Sequence, residues 1–161
     1  MLSSSIITIQ SGGWRRARAD VRFKNESDPL AYNASEEIVN IAVERAVITI
    51  FEQNFVPWKF NPRNSNYDPD TGNRQHVKSV KLQQNQADPT NGMKASSPTD
   101  ESYTLSMPTS GDVVITANSS IGLSYGLTTF SQLFFLHSDG GAYTKLAPVL
   151  SVMRRSSLIE A

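Results

Sequence analysis

Cysteine is absent from this chain of 161 residues, which excludes disulfide frameworks, thiolate zinc sites and cysteine nucleophiles. Net charge is also absent, because fifteen basic and fifteen acidic side chains cancel. No overall field therefore attracts nucleic acid or an anionic membrane surface. No stretch approaches the roughly 18 apolar residues of a membrane span. The sequence predicts neither a nucleic-acid partner nor a membrane partner.

The familiar catalytic and cofactor motifs are missing as well. The chain has no HExxH helix, no G-x-S-x-G elbow and no phosphate loop, and two histidines, His76 and His137, make a poor metal site. His137, Ser138 and Asp139 are consecutive, whereas a triad converges from separate elements. We predict no catalytic residue, no cofactor and no metal ion.

The chain contains two local acidic pairs, and glycosidases act through two carboxyl groups. They are Asp68 with Asp70, and Asp100 with Glu101. Both pairs fall in polar loops, where the carboxylates stay solvated and ionised. We expect neither pair to supply a general acid.

Apolar periodicity predicts a first helix over residues 35–55, with Ser35 as its cap and an apolar surface wider than one stripe. Alternation predicts strands near residues 79–83, 102–107 and 112–117, a hairpin turn at 108–111 and a short edge strand at Val21–Phe23. A second helix is predicted over residues 120–136, closed by His137 and Gly140. Asn118 is a candidate cap for that helix.

The second helix carries a predicted packing interface. Two glycines four residues apart let another backbone approach closely, and large apolar residues follow them at helical spacing. This interface comprises Gly122, Gly126, Leu127, Phe130 and Phe134. Together the elements predict an α+β domain in which an antiparallel sheet has two apolar helices packed on one face. The helices are more apolar than one sheet face requires, so we expect a partner, or self-association, on their outer side.

Three sequons, at Asn25, Asn33 and Asn118, are candidate glycosylation sites. They are weak evidence for secretion, and the N-terminus has no apolar run long enough for a signal peptide.

Several strings in this order resemble the N-terminal domain of eukaryotic, especially fungal, β-N-acetylhexosaminidases of glycoside hydrolase family 20. They lie at residues 55–63, 100–105, 114–122, 127–133 and 140–149. The resemblance covers about residues 38–149. It divides the chain into a poorly matching and expectedly disordered segment 1–35, a hexosaminidase N-terminal-like domain 36–149 and an atypical tail 150–161.

In that family the domain has two helices that press on a following (β/α)₈ catalytic barrel. The barrel carries an Asp-Glu pair in a His-x-Gly-Gly-Asp-Glu motif, which this chain lacks. The resemblance thus implies a non-catalytic accessory domain of a secreted enzyme that removes terminal N-acetylhexosamines from chitin and glycans. It also implies a truncated chain that is inactive alone.

Two alternatives stay open from the residues. One is a free-standing carbohydrate-binding or inhibitor-like protein that uses Trp58, Tyr67 and Tyr103 as sugar platforms. The other is a self-contained hydrolase of unknown type.

Overall fold

A computed structural model describes residues 5–9, 21–23, 29–53, 75–86, 88, 100–109, 111–138 and 140–153. Several residues discussed above lie outside these ranges, namely Asn25, Trp58, Tyr67, Asp68, Asp70 and Asp139. The predictions made for them stay predictions.

Eight strands and two α-helices make up the described part of the chain. The strands are β1 (Ser5–Ile9), β2 (Val21–Phe23), β3 (Gln75–Gln84), β4 (Tyr103–Met107), β5 (Gly111–Ala117), β6 (Phe135–Leu136), β7 (Ala142–Ala147) and β8 (Val149–Met153). The helices are α1 (Pro29–Ile48), which continues as a π-helical turn over Thr49–Gln53, and α2 (Ser120–Gln132). This content confirms the predicted α+β class.

Helix α1 begins at Pro29, earlier than the sequence pattern indicated. Proline suits the first helical position because its φ angle is already helical and its missing N–H has no partner there. Ser35 therefore lies inside the helix and does not cap it. The prediction was late because it followed the apolar period, which becomes regular only from Ile38 onward.

The strands form one mixed sheet in the order β6-β7-β1-β3-β5-β4-β8, and β2 also pairs with β3. β4 and β5 form the predicted antiparallel hairpin, but β3 runs parallel to both β1 and β5. The prediction of a purely antiparallel sheet is therefore wrong. β5, the second strand of the β4–β5 hairpin, pairs with β3 and runs in the same direction as β3.

The connection between β7 and β8 shows that the sheet is strongly curled. These strands stand second and seventh in the sheet order, which in a flat sheet would separate them by about 24 Å. Pro148 is the single residue between them, and Ala147 and Val149 can be at most about 7 Å apart. The two ends of the sheet must therefore come together near Pro148.

Strands on both sides of the predicted domain boundaries belong to this sheet. β1 and β2 lie before residue 36 and pair with β3. β8 extends beyond residue 149 and pairs with β4. The described parts of both flanking segments are thus structurally continuous with the central domain, while the division itself stays a prediction.

Helix α2 covers one face of the sheet. A Cβ atom added to Gly126 would lie 2.5 Å from Cγ2 of Ile115, and one added to Gly122 would lie 2.5 Å from the backbone oxygen of Ser102. The two helices pack against each other. The core contains Val39, Ala46 and Ile50 from the first helical segment, and Leu123, Leu127 and Phe130 from α2.

The end of α2 differs from the prediction. The helix ends at Gln132, and β6 follows before His137. His137 and Gly140 form the turn of the β6–β7 hairpin, in which the Gly140 N–H donates to the His137 carbonyl at 3.0 Å. Gly140 has a φ of 84°, a conformation that glycine adopts without strain. Residues 133–136 leave the helix because the short strand β6 pairs with β7.

Candidate functional site

His76 lies on β3, and His137 directly follows β6. His76 is exposed on β3, and the ring of His137 meets that of Tyr143 edge to face, with centroids 5.9 Å apart. Within the described ranges, no group of three or more His, Asp or Glu side chains is placed to hold a metal ion.

Asp100 is the centre of a polar network at the start of α2. Its Oδ1 accepts the Ser102 backbone N–H at 2.9 Å, and its Oδ2 accepts the Asn118 side-chain N–H at 2.6 Å. The backbone oxygen of Asp100 accepts the Ser119 hydroxyl. This network fastens the segment before β4 to the first turn of α2.

The same hydrogen bonds set the charge of Asp100. Bonds from Ser102 first, and then from Asn118, hold the pKa of the Asp100 carboxyl below its ordinary value. A general acid at neutral pH requires the opposite shift, toward the operating pH. Asp100 is therefore an ionised structural carboxylate, and the arrangement suits it to anchoring a helix.

Ser119 is the residue that caps α2. Its Oγ accepts the Gly122 backbone N–H at 3.0 Å, which satisfies one of the free donors of the first turn. Asn118, the predicted cap, forms other hydrogen bonds with its side-chain amide. Its Oδ1 accepts the side-chain N–H of Asn85 at 3.1 Å. Asn118 was also a candidate glycosylation site, and its Nδ2 is already the donor to Asp100.

Asn33 and Tyr103, two further candidates from the sequence, lie in a helix and in the core. Asn33 lies within α1. Tyr103, a suggested sugar platform, is buried, and its hydroxyl forms a 2.6 Å hydrogen bond with that of Thr129. Its ring therefore offers no open face to a sugar.

The predicted packing interface on α2 faces the sheet of this domain. Gly126 lies over Ile115, and Leu127, Phe130 and Phe134 are buried in the core. This face is therefore already covered and is not open to a partner. The sequence predicted close packing at these residues without deciding what packs against them, and the structure places the sheet of this domain there.

A groove between the outer sides of α1 and α2 is the candidate functional site, and we call it the two-helix groove. Its volume is about 590 Å³. It is lined by Ile38, Ile41, Ala42, Arg45, Ala46, Thr49, Ile121, Ser124, Thr128, Ser131 and Gln132. Small apolar side chains such as Ala42 and Ala46 line the α1 side of the groove, and hydroxyl groups line its α2 side.

The two helices that form the two-helix groove also expose large apolar and charged side chains. Ile41 is 44% exposed and, on α2, Tyr125 is 46% exposed. Glu44 and Arg45 are exposed on α1, whereas α2 carries no charged residue. Such a surface can bind a protein partner, but its groups offer no nucleophile with a base. The sequence contains a signal for this exposed surface, because Ile121 and Tyr125 are spaced four apart and lie outside the buried stripe of α2.

Neither described helix is long and apolar enough to cross a membrane.

Comparison with known proteins gives two findings. Residues 3–133 match the protein family described as "beta-acetyl hexosaminidase like". The chain is also similar to a beta-hexosaminidase of the fungus Arthroderma benhamiae, with 35% identity over 119 residues. That alignment covers 71% of this chain and 19% of the fungal protein. The chain thus spans about a fifth of the relative it matches.

Proposed function

Because the chain belongs to the beta-acetyl hexosaminidase-like family, the N-terminal domain of glycoside hydrolase family 20, we propose that it is a non-catalytic domain that supports a hexosaminidase catalytic domain. Its sequence contains no His-x-Gly-Gly-Asp-Glu motif. The ionised Asp100 also favours a supporting role.

The observation that carries this proposal is the uncovered two-helix groove. The inner sides of both helices are buried in the domain, yet Ile41, Ile48 and Tyr125 remain exposed on the outer side. An exposed apolar patch is typical of a docking site. We infer that the catalytic domain packs there, and that burial of the groove stabilises both domains.

The parent enzyme would then act on terminal N-acetylhexosamine residues, as in chitin or glycoproteins, and we propose that it is secreted and glycosylated. The similarity to a protein named beta-hexosaminidase supports the first part.

Binding between this chain and the separately produced catalytic region of the fungal beta-hexosaminidase tests the proposal. We expect saturable binding by calorimetry that Ile41→Glu or Tyr125→Glu weakens by about tenfold or more, because a charge is then buried in an apolar interface. Leu146→Glu is the control, since Leu146 is also an exposed apolar residue but lies on strand β7.

Binding that survives both helix variants, or that Leu146→Glu weakens equally, would place the contact elsewhere. A complete lack of binding by the folded wild-type chain would contradict the supporting role.

A further inference from the structure

A second hollow lies on α1 beside the two-helix groove, and we call it the acidic concavity. Its volume is about 320 Å³. It is lined by Glu36, Glu37, Asn40, Ile41 and Glu44. Ile41 also lines the two-helix groove, so an apolar groove and an acidic hollow meet at one exposed side chain. Whatever fills the groove must therefore also approach the acidic concavity.

Negative charge is concentrated on the helical layer, by which we mean α1, its π-helical turn and α2. Four glutamates and one arginine lie on α1 and the turn, namely Glu36, Glu37, Glu44, Arg45 and Glu52. All five are exposed, and α2 carries no charged residue. The chain as a whole has as many basic as acidic side chains. The helical layer is thus an acidic surface on a chain without net charge.

These glutamates have no counter-charge within the domain. In the described part of the chain, none of the four forms a salt bridge with another described residue. A carboxylate that loses water at an interface without an opposite charge is costly, and stable interfaces bring complementary potentials together. The charge of the helical layer therefore indicates the chemistry of the surface that covers it.

We propose that the face of the catalytic domain that covers the two-helix groove is basic. A lysine or arginine side chain of that face lies in the acidic concavity, and an apolar side chain beside it fills the groove. The apolar contact supplies most of the affinity, while the charges speed association and fix the orientation of the two domains. This inference rests on the proposed function and specifies the chemistry of its partner.

Charge reversal at Glu44 tests the inference, with Glu52→Lys as the matched control. Both glutamates are exposed on the helical layer, but only Glu44 lines the acidic concavity. Eight residues separate them, which is about 12 Å along a helix and exceeds the screening length of about 10 Å at 0.1 M salt. Association with the separately produced catalytic region of the fungal beta-hexosaminidase is followed by surface plasmon resonance at that salt concentration.

We expect Glu44→Lys to slow association by about fivefold or more, and Glu52→Lys to slow it by less than about twofold. Glu44→Asp keeps the charge and should associate at nearly the wild-type rate. An increase in ionic strength from about 0.01 to 1 M shortens the screening length from about 30 to about 3 Å. It should slow wild-type association by about tenfold and remove most of the difference between wild type and Glu44→Lys.

The outcomes separate this inference from the supporting role on which it rests. Wild-type binding at a rate that salt does not change, or equal rates for Glu44→Lys and Glu52→Lys, would overturn the basic partner face and leave the supporting role intact. A folded wild-type chain that binds at no salt concentration overturns both. Circular dichroism checks the fold of each variant, and if Glu44→Lys does not fold, Glu37→Lys repeats the test at another exposed position of the acidic concavity.

Discussion

Replacement of Gly126 by leucine measures how closely α2 lies on the sheet. A Cβ at this position would be 2.5 Å from Cγ2 of Ile115 and 3.4 Å from Cδ2 of Tyr103. Carbon atoms in normal contact are about 3.5–4.0 Å apart, so Ile115 or the helix must shift by about 1 Å. Ile115 is buried and branched at Cβ, so its methyl group cannot turn away freely.

Two opposing effects determine the free energy of unfolding of Gly126→Leu. Overpacking typically costs about 1–3 kcal/mol, whereas leucine in place of glycine inside a helix contributes about 0.8 kcal/mol. We therefore expect a net loss of about 1 kcal/mol. For a chain of this length, that corresponds to a Tm lower by about 2–4 °C.

Urea unfolding of the whole chain, followed by circular dichroism, measures this loss as a lower midpoint at unchanged slope. Thr128→Leu is the matched control, because it places leucine at an exposed position of the same helix. Its midpoint should stay the same or rise slightly through helix propensity. An unchanged or higher midpoint for Gly126→Leu would show that α2 does not lie against Ile115.

Three further predictions concern the start of α2 and catalysis. Ser119→Ala should lower the free energy of unfolding by about 0.5–2 kcal/mol through loss of the cap. Ser124→Ala, the control, removes only a hydrogen bond to the backbone carbonyl one turn back and should be nearly neutral. Equal losses for the two variants in urea melts would contradict the capping role. The lowered pKa of Asp100 contributes stability above its unfolded value of about 3.9 and loses it as pH falls through the lower folded value. Wild type should therefore lose stability relative to Asp100→Asn below about pH 4, and parallel pH profiles would rule this out. Finally, the chain alone should not hydrolyse a chromogenic N-acetylglucosaminide; turnover that disappears on mutation of Asp100, Glu101 and Asp139 would refute that expectation.

Periodicity in the sequence was sufficient to find the elements that have one buried and one exposed side. The alternation at residues 102–107 predicted β4, and the spacing of Leu123, Leu127 and Phe130 predicted α2. The direction of a strand relative to its neighbours could not be predicted from this periodicity. Side-chain alternation is identical in parallel and antiparallel strands, so the parallel pairing of β3 with β5 could not be inferred from it.

The residue that caps α2 could not be chosen from the sequence, because the choice depends on contacts between residues that are distant in sequence. Both Asn118 and Ser119 are good capping residues, and the choice between them follows from Asp100, which forms a hydrogen bond with each of them.

The apolar excess on the helices was recognised from the sequence. Its location on the outer side, at Ile41 and Tyr125, depended on how completely the curled sheet encloses the inner side.

The pairing of β8 with β4 also orders events during synthesis. β4 leaves the ribosome before its neighbour β8, which is made only after α2, β6 and β7. The outer edge of β4 therefore stays unpaired while most of the domain is already outside the ribosome. Pairing between strands so distant in sequence is slow and leaves an edge exposed in the meantime. The last step in closing the sheet must wait for Val149–Met153, so this domain completes its fold only when nearly all of the described chain has been made.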